Sequence, residues 1–341
     1  MKKRALITGV SGQDGSYLAE FLLEKGYEVY GLIRMSSVNN KARLKNIVGN
    51  EDFHIVYGDM TDESSLFKVV KQSLPDEIYN LAAQSSVGLS GDFSEYTTNV
   101  NALGILKLIN IVYELDLQDK IKIYQPISSE IFDSDCSEFL SEKSEVNPCN
   151  IYSCSKAYAR IITNSFKKKG LFIVNGIPFI HESPRRPEIF VSRKITKSAV
   201  KIKLGKMEKF QLGNLSVERD WGHAKDFVRG MWLSLQQNEP DEYVFATGTP
   251  TSLRDFCTKV FACLGIEIVF KGSGLEEKAY DAKTGKVLIE VNPNFVRPNE
   301  KMTQIGDYSK AKEKLGWTPE YTIDDIIKEM VEEDLKEESG N

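Results

Sequence analysis

Apolar positions in the first half of the chain recur with two alternating periods. The compact apolar run Arg4–Thr8 is followed by Leu18, Phe21 and Leu22 at helical spacing, with Gly26 placed to stop them. The pattern predicts a strand at 4–8 and a helix over 16–25. It then repeats, with predicted strands at 28–33 and 53–57, a helix over 63–72 and a strand over 77–81. An amphipathic helix over 101–114, a strand over 122–125, a helix over 151–169 and a strand over 172–176 follow. Strands separated by helices require crossover connections, and these predict a parallel sheet.

Beyond Pro178 the alternation weakens and Pro, Arg and Gly accumulate in SPRRPE, GNLSVERDWG and NPNFVRPNE. The expected class is therefore α/β, a doubly wound parallel sheet with a smaller mixed α/β C-terminal lobe. The first domain should span 1–177 and the second 178–341, with some later segments returning to the first. Thr322 with Asp325 three residues on predicts a capped final helix, and the polar tail after Glu337 is expected to fray.

Composition narrows the class without changing it. The chain has 341 residues, 41% hydrophobic and 27% charged, enough for a sizeable core. A net charge of −5 with both signs mixed gives no basic stripe, so no nucleic-acid partner is expected. No apolar stretch is long enough to span a membrane. The apolar run behind the basic N-terminal residues turns polar after Gly9, too early for a signal peptide. The 5 cysteines include no CxxC pair, so reduced thiols in a cytoplasmic protein are expected, and no metal site.

The first chemistry-bearing motif is Gly9-Val-Ser11-Gly12-Gln13-Asp14-Gly15, a GxxGxxG between a predicted strand and a predicted helix. Glycines there allow a tight turn and close backbone approach to a pyrophosphate, which the helix N-terminus attracts. With the strand pattern this makes a Rossmann-type dinucleotide site. An NAD-selective site often carries an acid at the end of the second strand. Here that strand ends in Arg34, followed by Met35 and Ser36, and Arg34 can pair with a 2′-phosphate. NADP is expected, with NAD less favoured. Asp59, after the third strand, is placed to reach the adenine edge.

The second motif is Tyr152-Ser-Cys-Ser-Lys156 at the start of a predicted helix. A spacing of four puts phenol and ammonium on one face. A neighbouring ammonium favours the phenolate, making Tyr152 a usable base. Ahead of it lies Ser128-Ser129-Glu130, at a strand end. This constellation resembles the extended short-chain dehydrogenase/reductases. The runs ALITGVSGQDGSYLAEFLLEKGYEVYG, PDEIYNLAAQSSV, IHESPRRPEIFVSRKIT, RDWGHAKDFV and KAKEKLGWTPE are similar to the GDP-mannose 4,6-dehydratase family, over nearly the whole chain.

The resemblance implies a cytoplasmic homodimer or homotetramer acting on a nucleotide sugar, with the GDP-linked form expected. It implies that Tyr152 takes the O4 proton as C4 is oxidised, that Ser128 orients O4, and that Glu130 removes the C5 proton so that water leaves from C6. It places Met60, Leu81, Ala82, Ala83, Ser85, Tyr96, His181 and Arg186 against the cofactor. Ser85, Lys194, Arg219, Arg297 and Glu300 would contact substrate, the two arginines through its diphosphate. Trp221 and His223 read as structural.

Several positions depart from the family pattern. An Asn is replaced by Ile180, a His by Ser86, a Gly by Asp133 and a second cofactor-side Arg by Met35. Pro126 and Ile127 stand where small residues precede the triad, and NPCNI replaces a Pro-Arg-Ser-Pro run before Tyr152. These changes cluster around the sugar. They leave open a different hexose or a heptose on the same nucleotide, and an NAD(P)-dependent C4 dehydrogenase, epimerase or reductase. A non-catalytic dinucleotide sensor would need neither Ser128, Tyr152 nor Lys156.

Overall fold

The computed structural model describes residues 2–37, 40–132, 139–296 and 301–340. In chain order the first part comprises β1 (Arg4–Thr8), α1 (Gln13–Glu24), β2 (Glu28–Ile33), β3 (Phe53–Tyr57), α2 (Glu63–Ser73), β4 (Glu77–Asn80), α3 (Ser94–Thr98), α4 (Gly104–Glu114), β5 (Lys122–Pro126), α5 (Ile151–Lys167) and β6 (Ile173–Pro178). The second comprises β7 (Ile180–Glu182), α6 (Val191–Lys203), β8 (Phe210–Leu212), β9 (Glu218–His223), α7 (Ala224–Leu235), β10 (Glu242–Phe245), β11 (Pro250–Ser252) and α8 (Leu253–Cys263). β12 (Ile268–Lys271), β13 (Lys278–Asp281), β14 (Val287–Val291), β15 (Thr303–Gln304), α9 (Ser309–Leu315) and α10 (Ile323–Ser339) complete it.

Seven strands pair in parallel in the order β10-β6-β5-β4-β1-β2-β3. The two-residue period of a strand divides its side chains between two cores. Leu6, Ile78 and Ile123 join Ile105, Leu108 and Ala159 on one face. Ala5, Ile7, Tyr79 and Tyr124 join Leu18, Phe227 and Trp317 on the other. This is the doubly wound Rossmann-type sheet that the alternation predicts. The chain order reverses between β1 and β4, and their C-terminal ends frame the crevice where such sheets hold ligands.

The C-terminal lobe has a core of its own, in which Ile195, Trp221, Phe256, Phe261, Ile289 and Ile327 pack together. Its strands form two small sheets, β11-β9-β15 with β7 beside β9, and β12-β13-β14-β8. Three elements past Pro178 belong to the large sheet: α7 and α9 cover one face, and β10 extends the edge beside β6.

Besides shifts of one or two residues at several ends, three boundaries differ from the sequence expectation in ways that bear on the fold. α1 begins at Gln13, ahead of the predicted 16, because its first turn faces the crevice and carries no apolar period. The helix predicted from 101 is continuous from Ser94, through a π-turn at Asn99–Leu103. α10 runs through the tail expected to fray. It ends at Gly340 with φ of 77°, and Lys206 donates to the Glu338 carbonyl. The predicted capping box is present, with Thr322 and Asp325 bonding each other's backbone amides. Cys149, Cys154, Cys257 and Cys263 are free thiols.

Candidate active site

The glycine loop is built by close approach. Gly9 adopts φ of +68°, and a Cβ there would lie 2.8 Å from the backbone of Ala82. A Cβ on Gly15 would lie 2.4 Å from the Gly9 carbonyl. Neither position can carry a side chain without moving backbone. Gly12 caps α1 with no side chain to accept from its first amides, so that helix end can receive an anion.

The loop opens onto a crevice of about 420 Å³. Gly9, Ser11, Gly12, Gln13, Asp14 and Gly15 line it, as do Arg34, Asp59 and Met60. Leu81, Ala82, Ala83, Ser85, Tyr96 and Arg186 complete the sequence-selected lining. Ser36 is exposed and outside that lining. Asn40, Gly58, Val100, Pro187 and Phe190 line the crevice without having been singled out in the sequence. Phe190 carries the Arg186 guanidinium 3.7 Å above its ring. Arg34 donates to the Tyr96 hydroxyl at 2.8 Å. Glycines that leave no room for Cβ, an open helix N-terminus and a long groove together fit an extended dinucleotide.

His181 stands behind the groove. Its Nε2 lies 2.9 Å from the Asp14 carboxylate and its Nδ1 2.8 Å from the Phe179 carbonyl. Both ring nitrogens face acceptors, an arrangement that favours the doubly protonated ring. Burial alone would lower the His181 pKa, but the Asp14 charge and hydrogen bond outweigh it and hold it above the usual value. Burial opposes ionisation of Asp14 as well, yet His181 keeps that carboxyl below its usual range. Gln13 completes the link, donating to the His181 carbonyl at 3.0 Å and accepting from Ser183 at 2.8 Å. The dinucleotide loop is thus tied to β7, the first strand of the lobe.

Tyr152 and Lys156 sit on the first turns of α5, which Asn150 and Ser153 cap reciprocally. Both are buried, and the ammonium lies 5.9 Å from the phenol ring centroid. Burial pushes the Tyr152 phenol up to about 12; the Ser128 hydroxyl bonds it and works in the opposite direction, while the Glu130 charge adds to the rise. The lowering of the phenol expected from the Lys156 ammonium is not found: burial raises it, and the opposing effects come from Ser128 and Arg186. Burial also draws Lys156 down to about 8, against the opposing charge of Asp14. The ammonium donates to the Pro126 carbonyl at 2.9 Å. That carbonyl ends a buried polar chain across three strands: Thr8 to Asn80 at 2.8 Å, Asn80 to Gln125 at 2.7 Å, and Gln125 to Pro126 at 3.0 Å.

Ser128 lies two residues past β5, where its hydroxyl accepts from the Glu130 amide at 3.2 Å. Glu130 occupies a single 3-10 turn, Ser129–Ile131, and is partly buried. Asn101, in the π-turn, was not selected from sequence. It bonds the Gln84 amide and carbonyl, both at 2.9 Å, and Ser155 at 3.2 Å, joining the crevice wall to α5.

The remaining expected residues divide. Arg219, on β9, donates to the Glu218 carbonyl at 2.8 Å, and Lys194 lies 4.1 Å above the Phe295 ring. Neither lines the dinucleotide crevice. Arg297, Glu300 and Asp133 lie outside the described residues. Ile180 packs against the lobe core and Ile127 against the sheet. His223 is fully buried, caps α7 and bonds Glu329 at 2.6 Å, and Trp221 donates to the Thr251 carbonyl at 3.0 Å.

Comparison with known proteins bears on this site. Residues 6–330 match the family model described as GDP-mannose 4,6 dehydratase. The GDP-mannose 4,6-dehydratase of Vibrio cholerae is 45% identical, over 98% of this chain and 95% of that protein. The GDP-mannose 4,6 dehydratase of Homo sapiens is 45% identical, over 97% of this chain and 91% of that one. The fold is similar to that of DesIV, a dTDP-glucose 4,6-dehydratase from Streptomyces venezuelae with NAD and TYD bound. Its TM-score is 0.83 and its identity 21%, covering 99% of this chain and 98% of that one. The chain is a member of the GDP-mannose 4,6-dehydratase family.

Proposed function

We propose that this protein converts GDP-mannose to GDP-4-keto-6-deoxymannose, with Ser128, Glu130, Tyr152 and Lys156 as the reacting and supporting groups. The crevice takes a nicotinamide dinucleotide, which when bound accepts hydrogen from C4 and returns it at C6. NADP is the form proposed, because Arg34 lines the crevice with Tyr96 as its hydrogen-bond partner and can meet a 2′-phosphate. His181 and Arg186 support the cofactor side. Ser85, Lys194 and Arg219 are proposed for the substrate side, with Arg297 and Glu300 carried over from the family resemblance. The homodimer or homotetramer and the cytoplasmic setting belong to the same reading.

The Tyr152 phenol, raised to about 12, needs positive charge beside it to act as a base; the Lys156 ammonium and the cationic ring of an oxidised nicotinamide would supply it, and Tyr152 then takes the proton of the C4 hydroxyl while Ser128 holds that oxygen in line. The C4 ketone acidifies C5–H, Glu130 accepts that proton, and the C6 hydroxyl departs with a proton as water. A proton then returns to C5, so the sugar has lost one water and the cofactor is unchanged. One observation carries the reading: a carboxylate, Glu130, sits one short turn from Ser128 with its charge acting on the Tyr152 phenol. C4 oxidation alone needs one base, whereas water loss across C5–C6 needs a second. Relatives named for GDP-mannose favour mannose over a heptose as the sugar.

The experiment is Glu130→Gln. C4 oxidation should persist, seen as reduced cofactor, while water loss falls by about two to four powers of ten. Water loss at the normal rate would remove Glu130 from the mechanism.

A further inference from the structure

We infer that Lys301 is a positioning residue for Glu130 and couples the C-terminal lobe to the elimination step. This rests on the proposed role of Glu130 as the C5 base.

Glu130 has little local support. Its turn spans only Ser129–Ile131, too short for a helical ladder. The Glu130 amide is held by Ser128, and the Ile131 carbonyl accepts from the Asn147 amide at 2.9 Å. The Glu130 and Phe132 carbonyls flank Ile131, and both face the Lys301 ammonium. It lies 3.5 Å from the Glu130 oxygen and makes a close hydrogen bond to the Phe132 oxygen. A charged donor shared by alternate carbonyls fixes the tilt of the turn, and with it the aim of the Glu130 carboxylate.

Lys301 is itself anchored. The carbonyl of its neighbour Met302 accepts from the Glu218 amide at 2.7 Å and from the Arg219 guanidinium at 3.4 Å. Thr303 and Gln304 then pair with Glu218 and Arg219 as β15 against β9. Farther along, the Leu140 amide donates to the Ile305 carbonyl and the Asp307 amide to the Leu140 carbonyl, each at 2.8 Å. Both described ends of the Glu130 loop, at 129–132 and at 139–140, therefore rest on the stretch 301–307. Tyr152 does not. It stands on α5, against the large sheet and the π-turn. The two bases share Ser128, which holds the Glu130 amide and bonds the Tyr152 phenol, but Lys301 holds the turn on the Glu130 side, so loss of its ammonium bears first on Glu130.

The test uses the full chain with NADP and GDP-mannose in single turnover. Reduced-cofactor absorbance reads C4 oxidation and mass spectrometry of the sugar nucleotide reads water loss. In Lys301→Met, oxidation should stay within about twofold of normal while water loss slows by about tenfold or more, so the 4-keto sugar that still holds its C6 hydroxyl builds up. Lys301→Arg, which keeps a charged donor, should recover most of the loss. If Lys301→Met does not fold, Lys301→Gln gives the same split on a polar stem. Equal slowing of both steps would mark a merely structural role and overturn the inference, as would unchanged water loss. Glu130→Gln run alongside separates the two ideas. Should it leave water loss intact, the role of Glu130 itself fails; should it stop water loss while Lys301→Met does not, only the coupling fails.

Discussion

At the scale of single residues the site is governed by burial acting on charge. Tyr152 is a weaker acid than a free tyrosine and Lys156 a weaker base than a free lysine, so neither titrates where an exposed group would. The Lys156 ammonium is present below about pH 8 and lost above it. With Tyr152 required as phenolate and Lys156 as ammonium, kcat/KM should rise with pH and level off above about 8, and a profile that keeps rising well beyond it would show that the ammonium is not required. Arg34 makes a second residue-scale prediction. Arg34→Ala should weaken NADP by about tenfold or more, the worth of a charge-assisted hydrogen bond, and leave NAD nearly unaffected. Equal losses for both cofactors, measured by calorimetry, would contradict it. What could be read from sequence at this scale was whatever is local. The glycine loop and the Tyr152/Lys156 pair sit within a few residues of each other, and turn chemistry or helix spacing exposes them. The His181–Asp14 ion pair and the Lys301 contact with Glu130 join residues 167 and 171 positions apart, and no periodicity carries such a pairing.

At the scale of elements, the position of α5 against the sheet depends on a polar clasp. Arg160 reaches the Glu242 carboxylate on β10 at 2.8 Å, and Asn164 and Asn175 add bonds to the same group at 2.9 and 3.0 Å. Burial alone would raise the Glu242 pKa, but these donors, Arg160 foremost, hold it at about 2. The clasp is present in full above the ordinary glutamate value and is lost as pH falls toward 2. A depression of that size corresponds to roughly 3 kcal/mol, with little screening because both side chains are nearly buried. Glu242→Gln should lower the midpoint of thermal unfolding near neutral pH and flatten its acid dependence between the two values. Unchanged acid dependence would place the stabilisation elsewhere. Periodicity revealed the elements of the first half because each has one apolar face toward the sheet. It missed the first turn of α1 and the stretch from Ser94 to Val100, where Tyr96 and Val100 face the crevice.

At the scale of the whole molecule, the large sheet with its two cores meets the lobe at β7, and the proposed chemistry is divided between sheet and lobe. The large sheet holds the dinucleotide crevice, Tyr152 and Lys156. The lobe carries Arg219 and, through β15, the segment that reaches Glu130. Sequence alternation exposed the first body, because each of its layers repeats one pattern. The second was legible chiefly through family resemblance, since its short strands pair across long separations, as β8 does with β14. The return of α7 and β10 to the large sheet is likewise a matter of topology that no local pattern records. The most direct test of the account follows the sugar nucleotide by mass spectrometry after incubating the protein with NADP and GDP-mannose in deuterated water. The account predicts a product lighter by one water that carries deuterium at C5, with no net accumulation of reduced cofactor. A product that has lost two hydrogens while reduced cofactor accumulates, or a sugar of unchanged mass, would contradict it.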